Sequence, residues 1–133
     1  MILVDASVWI DFFNQANTPQ SRQLERWLKR AEVSLGTADL VVFEVLRGFR
    51  RDKACLEAES LLSELPVVEI GGLDNARHAA RLYRKLRAQG RTVRSPIDVL
   101  LASYCMTHGH TLLHRDADFE SLKQMGSLDT WPH

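Results

Sequence analysis

Cysteine is scarce in this sequence: Cys55 and Cys105 are the two in 133 residues, they share no CxxC spacing, and both sit in helical-looking segments. That scarcity excludes a disulfide-dense framework and a cysteine-rich metal site, fits a reducing compartment, and makes buried, inert thiols the expectation. An excess of one charge is missing too. Lys+Arg and Asp+Glu both total 17, for a formal net charge of zero, so no whole-molecule field draws the chain onto a polyanion and any such site must be local. No apolar run approaches the ~18 residues that span a membrane. Met1-Ile2-Leu3-Val4 meets Asp5 without a positive flank, unlike a signal peptide. The chain therefore reads as cytoplasmic, with no membrane partner. Familiar catalytic motifs are missing as well: there is no GxxxxGK[ST] phosphate loop, no HExxH and no GxSxG. The histidines form no ligand set, and His78, His108, His110 and His133 read as solvent-facing. His114 differs in lying two residues before Asp116.

What is present fits one domain over residues 1–133, since this length and a 45% hydrophobic content support a single core. Ile2-Leu3-Val4 has the continuous apolar character of a strand covered on both faces. Helices follow over Ser7 to about Phe13 and over Ser21 to Ala31, the latter carrying Leu24, Trp27 and Leu28 at amphipathic spacing. A strand over Val33-Ser34-Leu35, stopped by Gly36, leads to a helix from Leu40 to about Arg50 for which Thr37 or Asp39 is the candidate cap. A further helix spans Lys53 to Leu65, then a strand Val67 to Ile70, a basic helix from Leu73 to Gln89 closed by Gly90, and a helix opened by Ser95-Pro96 that ends near His108. Thr111-Leu112-Leu113 forms another strand, a last helix begins around Asp118-Phe119, and Leu128 to Trp131 reads as an edge strand. Such alternation predicts an α/β fold, a three-layer α/β/α sandwich around a mainly parallel sheet.

Four carboxylates stand out on this scheme. Asp5 follows the first strand and Asp116 follows the Leu112-Leu113 strand, which puts both at carboxyl ends of parallel strands, where open α/β sheets hold their sites. Each is equally placed to cap the helix after it. Glu44 interrupts Leu40-Val41-Val42-Phe43-Glu44-Val45-Leu46, where apolar side chains occupy nearly every direction around the helix. A partly buried carboxylate needs a partner, either Arg47 three residues on or a metal ion. Asp98 lies three positions after Ser95, in place for a capping box, and also at the core-facing end of Val99-Leu100-Leu101-Ala102. Acids meeting in one pocket repel, and a divalent cation relieves that repulsion. Hard oxygen ligands call for magnesium, or manganese, and for phosphodiester hydrolysis. Thirteen arginines stand against four lysines, many of them between Arg77 and Arg94. Arg47, Arg81, Arg84 and Arg115 are candidate RNA phosphate contacts, although a solvated helix face explains the basic stretch equally.

Val4-Asp5-Ala6-Ser7-Val8-Trp9-Ile10, Val42-Phe43-Glu44-Val45-Leu46-Arg47-Gly48, Asp98-Val99-Leu100-Leu101-Ala102 and Leu112 to Phe119 together resemble the PIN domain, and the length resembles VapC toxins of type II toxin–antitoxin pairs. The resemblance implies Asp5, Glu44, Asp98 and Asp116 as catalytic metal-binding acids, Asp118 as an accessory acid, and Ser7 as a hydroxyl that helps hold metal or water. It also implies a Mg2+-dependent endoribonuclease of structured or single-stranded RNA, a homodimer, and inhibition by a VapB-like antitoxin. His114 departs from the threonine or serine usual ahead of the fourth acid, which puts water positioning in doubt. Val99-Leu100-Leu101 departs by a conservative packing change. Competing readings are a PIN module that binds RNA or protein without cutting, a structure-specific DNA nuclease, and a phospho-acceptor receiver domain. The last fails because Val67 to Ile70 runs into Gly71-Gly72 where an aspartate is needed.

Overall fold

A computed structural model describes residues 1–132 of the chain; His133, expected to face solvent, lies outside the described residues. The order is β1 (Ile2–Val4), α1 (Ala6–Phe13), α2 (Pro19–Arg30), β2 (Leu35–Ala38), α3 (Asp39–Leu46), α4 (Asp52–Leu62), β3 (Val67–Val68), α5 (Leu73–Ala88), α6 (Pro96–His108), β4 (Thr111–Leu113), α7 (Asp118–Met125) and β5 (Asp129–Trp131). All five strands are parallel, in spatial order β3-β2-β1-β4-β5. Among the described residues, no helix is long and apolar enough to cross a membrane.

The sheet is a middle layer. Successive strand residues point to opposite faces, and Leu3 with Val4, and Leu112 with Leu113, are all fully buried, so helices cover both sides. α1 packs with α2 and α3, and α3 with α4, while α5, α6 and α7 pack on one another. Trp9, Leu24, Leu101, Phe119 and Leu122 fill the space between helices and sheet. Truncating Leu112→Ala in central β4 is expected to cost about 3 kcal/mol through lost transfer energy and a residual cavity, read by denaturant unfolding.

Strand order positions the site. From β1 the chain winds outward through β2 to β3, then returns to lay β4 against the other side of β1. Adjacent connections therefore leave in opposite directions at β1 and β4, opening a crevice at their carboxyl ends.

Two local expectations change. β2 runs through Gly36, which does not stop it. A Cβ at Gly36 would lie 2.6 Å from Met1 Sδ and 3.2 Å from Pro66 O, so the glycine permits close approach inside the sheet. Neither Thr37 nor Asp39 caps α3: Thr37 is in β2, and Asp39 Oδ1 accepts the Ile70 N–H at 2.9 Å, tying the loop after β3 to α3. α3 also stops at Leu46, short of Arg50, and α4 at Leu62, short of Leu65. Gly90 closes α5 with φ +71°, the left-handed conformation expected of it.

Candidate metal centre

Asp5 is where strand becomes helix. Its carboxylate Oδ2 accepts the Ser7 N–H at 3.1 Å and the Ser7 hydroxyl at 2.5 Å, so it caps α1 while sitting in the crevice. Capping and site roles are thus compatible in one side chain. Burial pushes its carboxyl above the ordinary range against the lowering effect of those two hydrogen bonds.

Asp98 enters from the first turn of α6. Ser95 makes no side-chain capping bond, so no capping box forms there; Asp98 instead lies 5% exposed in the crevice. One carboxylate oxygen each from Asp98, Asp116 and Asp118 lie within 4.8 Å of one another. Burial, then the negative charges of Asp5, Asp116, Glu44 and Asp118, push the Asp98 carboxyl up to about 8. Asp98 is therefore the point where all the other acids are felt.

Glu44 reaches the same centre from α3, its carboxyl raised by burial and by Asp5. Its Oε1 is buried with no hydrogen-bond partner. Arg47 does not close an ion pair with it; the guanidinium lies 5.4 Å over the Phe43 ring, lowering the Glu44 carboxyl only by its field. Asp116 Oδ1 accepts the Asp118 N–H at 3.0 Å and so fixes the entry to α7. Asp118 is also approached by Arg94, whose backbone N–H donates at 3.2 Å and whose largely exposed guanidinium lies 3.5 Å away.

Three acids thus meet from the start of α6, the β4–α7 connection and the first residue of α7, and the charges of Asp5 at the end of β1 and Glu44 on α3 are felt at Asp98. An orphaned buried carboxylate oxygen on Glu44 and a strongly repelled carboxyl on Asp98 are what an oxygen-ligated divalent cation would satisfy. The donor set fits magnesium or manganese and offers no nitrogen or sulfur ligand among the described residues of the cluster.

Asp11 is a site-supporting residue that the motifs did not expose. From buried α1 it pairs with Arg115: Arg115 Nε donates to Asp11 Oδ2, and Nη2 to Oδ1 at 3.2 Å. The Arg115 N–H also meets the Ser7 hydroxyl at 3.3 Å. Arg115, a candidate phosphate contact, is therefore already paired, and the pair pins the segment bearing Asp116 to the helix that Asp5 caps. The signal was a lone acid inside Trp9-Ile10-Asp11-Phe12-Phe13. Replacing Asp11→Asn is expected to strip the arginine of its ionic partner and weaken divalent-ion affinity about tenfold, read by calorimetric titration.

His114 is buried against the Phe119 ring, 4.8 Å between centroids, with its imidazole shifted toward the neutral form by burial. His78 and His108 are exposed as expected. His110 is half-buried in a stack with Tyr104, because the turn folds back over α6. Arg81 and Arg84 line a shallow depression with Lys85 and Arg87 that contains none of the five acids. Burial pushes the Cys105 thiol up to about 12, leaving it inert.

Fold and site together define a class: a parallel α/β domain with a carboxylate cluster at the sheet's switch point. The chain belongs to the PIN-domain family, which matches residues 2–124. It is 31% identical to Ribonuclease VapC11 of Mycobacterium tuberculosis over 96% of both chains. Its fold resembles VapBC2 from Rickettsia felis bound to a promoter DNA fragment, with TM-score 0.75, 17% identity, and 98% and 99% of the two chains covered. It also resembles a toxin–antitoxin complex from Klebsiella pneumoniae, with TM-score 0.69, 20% identity and 90% of each chain covered.

Proposed function

We propose that this chain is a Mg2+-dependent endoribonuclease toxin, with Mn2+ able to substitute, that hydrolyses structured or single-stranded RNA and is held inactive by a VapB-like antitoxin. The observation that carries the reading is the cluster in which carboxylate oxygens of Asp98, Asp116 and Asp118 lie within 4.8 Å of one another, with the charges of Asp5 and Glu44 also felt at Asp98. Kinship with VapC ribonucleases over nearly the whole chain supports RNA as substrate. The toxin–antitoxin complexes among its structural neighbours support the inhibitor.

Asp5, Glu44, Asp98 and Asp116 would hold the ion, with Asp118 as accessory acid. When bound, magnesium supplies Lewis acidity toward a phosphodiester oxygen and lowers the pKa of a coordinated water. The chain's own residues do the rest. Ser7 fixes the Asp5 carboxylate by two hydrogen bonds, leaving the other oxygen for the ion. Arg115, held by Asp11, keeps Asp116 in register with Asp5. Buried His114 stands beside the centre, close enough to feel the charges of Asp5 and Asp116, and burial shifts its imidazole toward the neutral form.

A homodimer and cytoplasmic residence complete the proposal. Ile10, Phe43 and Leu56, exposed on α1, α3 and α4, supply apolar surface for a protein partner. The test is end-mapped cleavage of structured RNA in Mg2+, in Mn2+ and in excess chelator. Cleavage with either ion and none with chelator is expected; intact RNA under all conditions would indicate a binding module.

A further inference from the structure

Beside the acids, on the far side of Asp116, lies a cavity of about 360 Å³ whose wall includes Gln20, His114, Lys123, Thr130 and Trp131. Its volume falls within the ~300–1,000 Å³ range of sites that enclose a small organic group. We infer that this cavity is a nucleotide subsite of the RNA strand, holding the base and phosphate next to the bond cleaved at the acid centre.

Three observations converge there. Lys123 Nζ donates to the Thr130 hydroxyl at 3.0 Å, and among the described residues no carboxylate lies within ion-pair distance of it. A positioned, half-buried ammonium without a counter-ion matches a backbone phosphate. His114 is 8% exposed, and its Nδ1 is a buried atom with no hydrogen-bond partner. That nitrogen is closed off from the cavity, so His114 contributes to its wall and shape. Trp131 adds a half-exposed indole anchored edge-on to Trp27 at 5.9 Å, and unpaired bases stack on aromatic rings of this kind. Gln20, at the start of α2, contributes an amide able to donate to and accept from a base edge.

Asp116 is shared between the cavity and the acid cluster, which sets the occupant within one nucleotide of the reacting phosphate. The wall also holds Glu120, whose negative charge favours the base's amino donors there and disfavours a second phosphate. The subsite therefore reads one base and one phosphate, in a chain whose zero net charge gives it no general attraction for RNA.

The inference rests on the ribonuclease reading, and its test separates the two. Wild type, Lys123→Gln and Gln20→Ala are compared in Mg2+ by cleavage kinetics against salt and by sequencing of cut ends. Lys123→Gln is expected to raise KM about five- to tenfold and to flatten the log–log salt dependence of KM by about 0.7, the value of one single-strand phosphate contact. Gln20→Ala is expected to relax the base preference beside the cut. Wild type that cuts, with both variants matching its salt slope and preference, overturns the subsite alone. Wild type that does not cut RNA overturns the function itself. Unchanged RNA kinetics with lost binding of an antitoxin peptide would assign the cavity to a protein and overturn the inference as well.

Discussion

Asp98→Asn should abolish RNA cleavage, by at least about a hundredfold, while making the metal-free protein more stable at alkaline pH. Both halves come from one cause. Asparagine keeps the size of the side chain but removes a ligand charge at the position where four other acids are felt, and loss of a metal-ligand charge weakens both ion binding and the chemistry that depends on it. In the free protein the same change removes a buried charge and, with it, the repulsion from the neighbouring acids, so the thermal midpoint at pH 8.5 in chelator is expected to rise by about 5 °C. A substitution that damaged the fold would lower activity and stability together. Opposite movement of the two quantities marks a residue kept for function at the expense of stability. Scanning calorimetry and a gel-based cleavage assay on one preparation are enough to see it.

The second large effect is on how magnesium stabilises the protein at different pH. Asp98 is raised from its ordinary 3.8 to about 8. The stability contributed by its protonated form is therefore fully present below the unfolded value and is lost as pH rises through about 8. Glu44 and Asp5, also raised, act in the same direction. Above that point the free protein carries unrelieved repulsion, and saturating Mg2+ should raise the midpoint by about 8 °C, the effect of ligand at about a hundred times its Kd. At pH 6 the ion must displace a proton. Its affinity falls about a hundredfold and the gain should shrink below about 2 °C. Equal stabilisation at pH 6 and 8.5 would mean that the acids are not coupled to the ion.

Much of this was readable from residue order because parallel sheets constrain position. The continuously apolar Ile2–Val4 and Thr111–Leu113 runs, each followed at once or within three residues by an acid, could only end at the same edge of the sheet. Glu44 was legible as a carboxylate with no apolar-free direction to point in, and Asp98 as an acid at the start of a core helix. Capping roles were harder. In sequence, capping α1 and facing the crevice look like alternatives for Asp5, yet its Oδ2 takes both Ser7 hydrogen bonds while the side chain sits in the crevice. Gly36 is ambiguous in sequence, because a glycine that stops a strand and one that lets Met1 and Pro66 approach look identical there.

Arg115 shows the other limit. A basic residue beside an acid cluster invites a phosphate-contact reading, but the sequence does not reveal that Arg115 also pairs with Asp11, 104 positions away on α1. Pairings between distant segments depend on how α1 sits against the β4–α7 connection, and no local pattern encodes that. The same holds for the cavity beyond Asp116, which joins the start of α2 to the end of β5.

The most direct measurement is a carboxyl-detected NMR titration of ¹³C-labelled, metal-free protein, repeated with saturating Mg2+. One side-chain carboxyl is expected to titrate near 8 without metal, to vanish from that range in Asp98→Asn, and to remain ionised down to ordinary carboxylate pH once magnesium is added. If every carboxyl titrated in the usual acid range and magnesium moved none of them, the crowded acids would not form an ion site and the account would be wrong.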